Sequence, residues 1–237
     1  MKARTREDRL VGTFVTLADS LVADYDVVDL LQLLVEETIE LFDAAAAGIL
    51  LVNRAQELEV IVSTNERSEF LGLMQLRAGE GPCVEAVTTG AVVSVADLDH
   101  IEERWPLFAA DARRSGFRSM HSIPMRLRDN TIGSLNLFRD RVGQLNDEDA
   151  MAAQALADVA TIGILQHRIA EQAEITQAQL QNALDSRVAI EQAKGYLAHT
   201  QGIDMDAAFS RIRANARSTQ RRLRDVAADV ITGHLDL

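Results

Sequence analysis

"FRSMHSIPMRLRDNTIGSLNLF", residues 117–138, sets two strand-like runs either side of the polar turn Arg128-Asp129-Asn130. Runs of this length and composition, bounded by a turn cluster, predict two strands. The same pattern occurs upstream. "AGILLVN" (47–53) and "LEVIVST" (58–64) are apolar and β-branched around the polar turn "RAQE", and "AVVSV" (91–95) is a further short strand. Between them "SEFLGLMQL" reads as helical, "RAGEGPCVEAVTTG" as a glycine-punctuated loop entering a short helix, and residues 104–114 as another helix. Five or six strands, joined partly by hairpins and partly by helical excursions, predict an antiparallel sheet covered by helices, an α+β fold.

Helices flank this block. Leu10, Phe14, Leu17 and Leu21 recur at steps of four, three and four, which predicts an amphipathic helix over 5–22, and a second helix follows over 27–42. From Asp147 to about Thr200 there is no proline, and Val159, Ile162, Ile169, Ala173, Leu180 and Ala183 keep alternating three- and four-residue steps, with Gln166 and Thr176 on the same seam. This coiled-coil-like stripe predicts one long helix that leaves one domain and enters another. Its start is expected to pack with the N-terminal helix on one face of the sheet. The last segment is punctuated by Gly202, a helix stop, by Asp204, a helix N-cap, and by Leu223, Val226, Ala227 and Val230 on one helical face, with Ser218 or Thr219 as the expected cap. The expected division is an α+β domain over 8–168, a helical linker over 169–179 and a three-helix unit over 180–237.

The chain of 237 residues is 47% hydrophobic and carries a formal charge of −12. No apolar run reaches the roughly 18–20 residues of a membrane span, and the N-terminus lacks a signal-type apolar core. The one cysteine, Cys83, rules out an internal disulfide, and no metal-type Cys/His spacing occurs. A cytoplasmic protein without membrane contact is expected. The charge is uneven: residues 181–237 hold eight Lys/Arg and seven Asp/Glu, which leaves 16 basic and 29 acidic residues for the rest. Such asymmetry marks parts that meet different partners.

The stretch "AAFSRIRANARSTQRRLRDV" (207–226) gathers six arginines with no carboxylate before Asp225. Arg221, Arg222 and Arg224 fall where the last helix is expected to open, at the positive end of its dipole, a cost of about 0.3–1 kcal/mol apiece in the first turn. Arg213 and Arg217, four apart, share a face. A solvated charged face is one reading, and a site for an anionic polymer is the other, since arginine suits bidentate phosphate contact. Gly195 inside a helix costs about 1 kcal/mol against alanine, which calls for a close approach by a neighbouring helix or by a ligand.

"ALDSRVAIEQAKG", "AAF..IR..A" and "RRLRDVA", in order over about 55 residues, resemble the ANTAR domain, the three-helix RNA-binding module of bacterial antiterminators. The resemblance implies binding of paired hairpins in nascent transcripts, so that a terminator does not form. It carries over Arg187, Ala193, Lys194 and Gly195 in the first helix, Arg213 in the second, and Arg221 and Arg222 at the start of the third. Arg217 and the turn residues Thr219 and Gln220 complete the candidate RNA-binding set. Gln220 stands where the family usually has asparagine, and Ala198 where it usually has methionine. Over about 8–168 the chain resembles a GAF domain, and "RAGEGPCVEAVTTG" resembles the loop of actinobacterial GAF–ANTAR proteins. That implies a sensor whose small-molecule effector would sit between the sheet and the loops after "VSTN" and "VADL". The seam and the two-hairpin target together imply a homodimer.

Phosphate-cradling and dinucleotide glycine motifs are absent. Cys83, His100 and His121 read more simply as a buried thiol and as solvated or hydrogen-bonded histidines than as catalytic groups. A GAF-scaffold redox enzyme of the methionine sulfoxide reductase kind needs several cysteines, so the expectation is a regulator without enzymatic activity. A dimeric adaptor whose arginines meet an acidic protein is the remaining alternative.

Overall fold

The 117–138 stretch forms the middle of a five-stranded sheet. In the computed structural model, which describes residues 5–20 and 26–237, β4 (Ser119–Leu127) pairs antiparallel with β5 (Asn130–Arg139) through a two-residue loop, in which Arg128 takes a left-handed φ of 56°. The strand order is β2-β1-β5-β4-β3, with β1 spanning Ala46–Val52, β2 Leu58–Ser63 and β3 Val93–Val95, and every neighbouring pair antiparallel. β1 reads as an unbroken apolar run because both its faces are covered. Ala47, Ile49 and Leu51 enter one core, whereas Ala46 and Leu50 enter the other.

The first core is closed by α1 (Arg6–Ser20), α2 (Val27–Phe42) and the beginning of α6 (Asp147–Gln201). Leu17, Leu31, Leu34, Leu156, Ala157 and Ile164 all bury there, so the expected packing of the N-terminal helix with the helix from Asp147 is found, and Arg6 pairs with Asp149 between them. Leu21, the last member of the α1 stripe, lies outside the described residues. The buried Arg139 ties this layer to the sheet, since its Nη2 donates to the Phe42 carbonyl at the end of α2 at 2.6 Å. A cavity of about 540 Å³ opens between α1 and α2, beside Thr13, Leu33 and Glu37.

On the opposite face lie α3 (Glu66–Ala78), α4 (Pro82–Thr89) and α5 (Pro106–Ser115), with Leu71, Phe108, Met120 and Phe138 in their core. The glycine-rich loop does the turning expected of it. Gly79 ends α3 at φ 67°, and Gly81, at φ 128°, leaves room for the Gln75 side chain, which a Cβ would meet at 2.6 Å. Gln75 Oε1 in turn accepts from the Cys83 backbone N–H at 2.8 Å. Cys83 is fully buried, and burial pushes its thiol up to about 12, against the lowering by backbone N–H groups at the helix start. Desolvation therefore outweighs the helix terminus, and the thiol stays protonated.

Of the two histidines weighed above, His100 is solvent-exposed beside Asp97, and His121 is buried with Nδ1 2.5 Å from Ser94 Oγ. Burial, and then the positive Arg139, lower the His121 pKa from 6.5 to about 4. The unfolded chain therefore takes up a proton near pH 6.5 that the folded chain refuses, so this contribution to stability is present above pH 6.5 and is lost as pH falls towards 4. Denaturant unfolding is expected to show about 2 kcal/mol less stability at pH 5 than at pH 7 from this group. His121→Gln should flatten that difference, and an equally steep pH dependence in the variant would count against the assignment.

The chain divides into two compact units at Arg168/Ile169, inside the continuous α6. Residues 166–185 are all exposed, among them Ile169 at 69% and Leu180 at 62%. The second unit joins the end of α6 to α7 (Met205–Ser218) and α8 (Leu223–Ile231) around Ala193, Leu197, Ala208, Ile212, Val226, Ala227 and Val230. Gly202, at φ 68°, stops α6, and Asp204 caps α7 through the Ala207 N–H at 2.6 Å, both as the punctuation predicts. Among the described residues no helix is long and apolar enough to cross a membrane, and no three His, Cys, Asp or Glu side chains cluster to hold a metal ion.

Candidate nucleic-acid interface

The turn between α7 and α8 differs from the sequence expectation, and the difference sorts the arginines. Ser218 and Thr219 do not cap α8. Their hydroxyls donate back to the Asn215 carbonyl, at 3.0 and 2.7 Å, and close α7 instead. Gln220 then takes a left-handed φ of 54°, and the Arg221 N–H returns to the Ala216 carbonyl at 3.0 Å. Only after this reversal does α8 begin, with Arg222 at the cap position and no side chain capping it.

The asparagine usual in the family at position 220 has a backbone reason here, because asparagine and glycine tolerate the left-handed region better than glutamine. Gln220→Gly is accordingly expected to raise stability by about 0.5–1 kcal/mol, read as a higher melting temperature. A fall in melting temperature would show that the Gln220 side chain, not its backbone, matters for the turn.

Local acids do offset two of the three arginines expected to stand uncompensated. Arg221 lies ahead of α8 and pairs with Asp229, Nη2 to Oδ2 2.6 Å, while Arg224 meets its neighbour Asp225 at 3.3 Å. Arg211 is held by Gln201 and by the Leu237 carbonyl. Lys194 is bound by Glu191 at 2.9 Å, lies 5.7 Å from the Phe209 ring centroid, and exposes only 16% of its side chain. It therefore joins α6 to α7. Four arginines remain. Among the described residues Arg187, Arg213, Arg217 and Arg222 make no hydrogen bond or ion pair through their side chains, and all four are exposed. Arg213 and Arg217 lie one turn apart on α7, as the spacing predicts.

The remaining candidates divide by burial. Ala193 is in the core of the unit, whereas Thr219 and Gln220 lie on its surface. Gly195 is exposed, and a Cβ there would meet nothing within 4 Å, so no neighbouring helix among the described residues requires the glycine.

Two family models match this architecture. The GAF domain model covers residues 24–164, and the ANTAR domain model covers residues 178–231. The chain therefore belongs to the GAF family over more than half of its length. Its second unit is an ANTAR domain, the RNA-binding module of antitermination regulators, which makes the whole a GAF–ANTAR regulator. No curated protein matches the sequence significantly. Solved structures resemble the first unit. The free methionine-R-sulfoxide reductase of Neisseria meningitidis, solved with its substrate, is 21% identical with a TM-score of 0.52, over 70% of this chain and 91% of that one. The GAF domain of a phosphoenolpyruvate-protein phosphotransferase from Coxiella burnetii is 18% identical with a TM-score of 0.55, over 70% and 97%. The corresponding Acinetobacter domain is 14% identical with a TM-score of 0.51, over 67% and 95%. At these identities the likeness is one of fold alone.

Proposed function

We propose that the chain is a signal-responsive regulator that binds hairpins in nascent RNA and thereby keeps a transcription terminator from forming. The observation that carries this reading is the set of four arginines without partners among the described residues, Arg187, Arg213, Arg217 and Arg222, on the ANTAR domain of a chain with a net charge of −12. Guanidinium groups left uncompensated on such a chain lack their anion, and a phosphate backbone supplies it. Arg187, Arg213, Arg217 and Arg222 are the proposed contacts. Lys194, Ala193 and Gln220 shape the surface that presents them, and the open surface at Gly195 leaves space for close approach of the RNA backbone.

The test is titration of the full chain with tandem-hairpin RNA at several salt concentrations, with duplex DNA of equal length as the control. Preference for the hairpins, with affinity falling linearly as salt rises on logarithmic axes, supports the reading. Binding to an acidic protein with none to RNA would favour the adaptor instead. Two hairpins fit two copies of the chain, and the exposed Ile169 and Leu180 on the seam of α6, with the exposed Leu184 beside it, are proposed as their contact. Sedimentation showing a strict monomer with and without RNA would remove the dimer. The signal is proposed to be a small molecule bound by the GAF unit, and a metabolite screen by thermal shift tests it.

A further inference from the structure

We infer that Asp229 is a built-in counter-ion that holds Arg221 out of the RNA contact set and so sets the affinity and salt dependence of the interface. The inference rests on the RNA-binding reading above. Arg221 and Arg222 are adjacent in sequence, yet the structure treats them oppositely. The left-handed Gln220 and the Arg221 N–H bond to Ala216 place Arg221 before the helix, and its guanidinium reaches eight residues on to Asp229 at 2.6 Å. Arg222, at the cap, meets no carboxylate among the described residues.

The pair is half in water, with side-chain exposures of 41% for Arg221 and 34% for Asp229. Exposed pairs contribute little to folding, so the fold does not need this one. Its effect falls on binding. For Arg221 to reach a phosphate it must leave Asp229, and the freed carboxylate then stands close to the incoming polyanion. Like charges brought together in this way oppose association and suppress contact. A paired Arg221 also releases no counterion from the nucleic acid, so it adds nothing to the salt slope.

Asp229→Asn keeps the side-chain shape and removes the charge. The full-length variant is expected to bind a synthetic tandem-hairpin RNA roughly five- to tenfold more tightly, with a salt slope steeper by about 0.7–0.9 as Arg221 gains a phosphate. Asp206→Asn supplies the control for net charge, because Asp206 is exposed and has no ion pair among the described residues. In an Arg221→Ala background, Asp229→Asn should gain no more than that control does, which ties the effect to Arg221. Melting curves of all variants establish that they are folded.

If Asp229→Asn gains no more than Asp206→Asn, or keeps the wild-type slope, Arg221 already contacts RNA and the inference is wrong. If it weakens binding while the melting temperature holds, Asp229 orients Arg221 toward RNA, which also overturns it. Absence of salt-dependent hairpin binding by wild type and variant alike would instead remove the RNA reading itself.

Discussion

Alanine at Arg213, Arg217 and Arg222 together is expected to weaken tandem-hairpin binding by roughly two to three orders of magnitude, since a charge-assisted contact contributes about 1.5–3 kcal/mol and part of each is recovered by water. The salt slope should fall by about two to three units, near one for each lost phosphate contact. Folding should hardly change. Among the described residues none of the three guanidinium groups has a bonding partner, so nothing buried is left without one. Arg217 lies in the last turn of α7, where a cation is favourable, whereas Arg222 opens α8, where it is not. These two effects, each about 0.3–1 kcal/mol, oppose one another. Arg221→Ala alone should change affinity much less, because that side chain is already occupied. A triple variant that binds hairpins as tightly as wild type, or one that loses its cooperative melting, would show the three arginines to be misassigned.

Gly133→Ala should be the most damaging single methyl in the GAF unit. Gly133 lies mid-strand in β5, between Leu51 of β1 and Met125 of β4. A Cβ there would lie 2.7 Å from Leu51 Cδ2 and 3.1 Å from the Leu50 carbonyl carbon, and its closest approach would be to the Leu50 carbonyl oxygen. A side chain can turn away, but backbone in the middle of a sheet cannot. Overpacking commonly costs about 1–3 kcal/mol and more where relief requires strands to separate, so a loss of about 3 kcal/mol or more is expected. Chemical denaturation of the variant measures it. A midpoint close to wild type would mean that β1 and β5 separate more easily than their register indicates.

The strands were legible because both faces of the sheet are covered, which makes "AGILLVN" apolar almost throughout and puts apolar residues on both faces of "FRSMHSIPMRL". Helix punctuation was legible for a local reason: Gly202 and Asp204 act on backbone groups within four residues. What escaped is non-local. Arg221 meets Asp229 because it stands outside the helix, so the three- and four-residue spacing that reveals helical ion pairs does not apply. Thr219 was expected to open one helix and instead closes another, since Gln220 takes a conformation its residue type disfavours. Gly133 in "NTIGSLNLF" carries no local sign of its constraint, and only the register shows which carbonyl it faces. Burial of His121 and Arg139 depends on α2 and the start of α6 folding over the sheet end, which no window of sequence contains.

The lone cysteine has a practical consequence. Cys83, in the first turn of α4, is shut in the core beneath that helix's outer face with its proton held up to about 12, so a thiol reagent reaches it only when the helix lifts from the sheet. Its rate of labelling in the native protein therefore measures the free energy of that opening, distinct from global unfolding. On the time scale of a brief labelling pulse, the folded chain behaves as though it had no cysteine. A dye attached through Ser210→Cys, at an exposed position on α7, would then report from the ANTAR domain alone. The chain thus needs no cysteine-free background for fluorescence or crosslinking experiments.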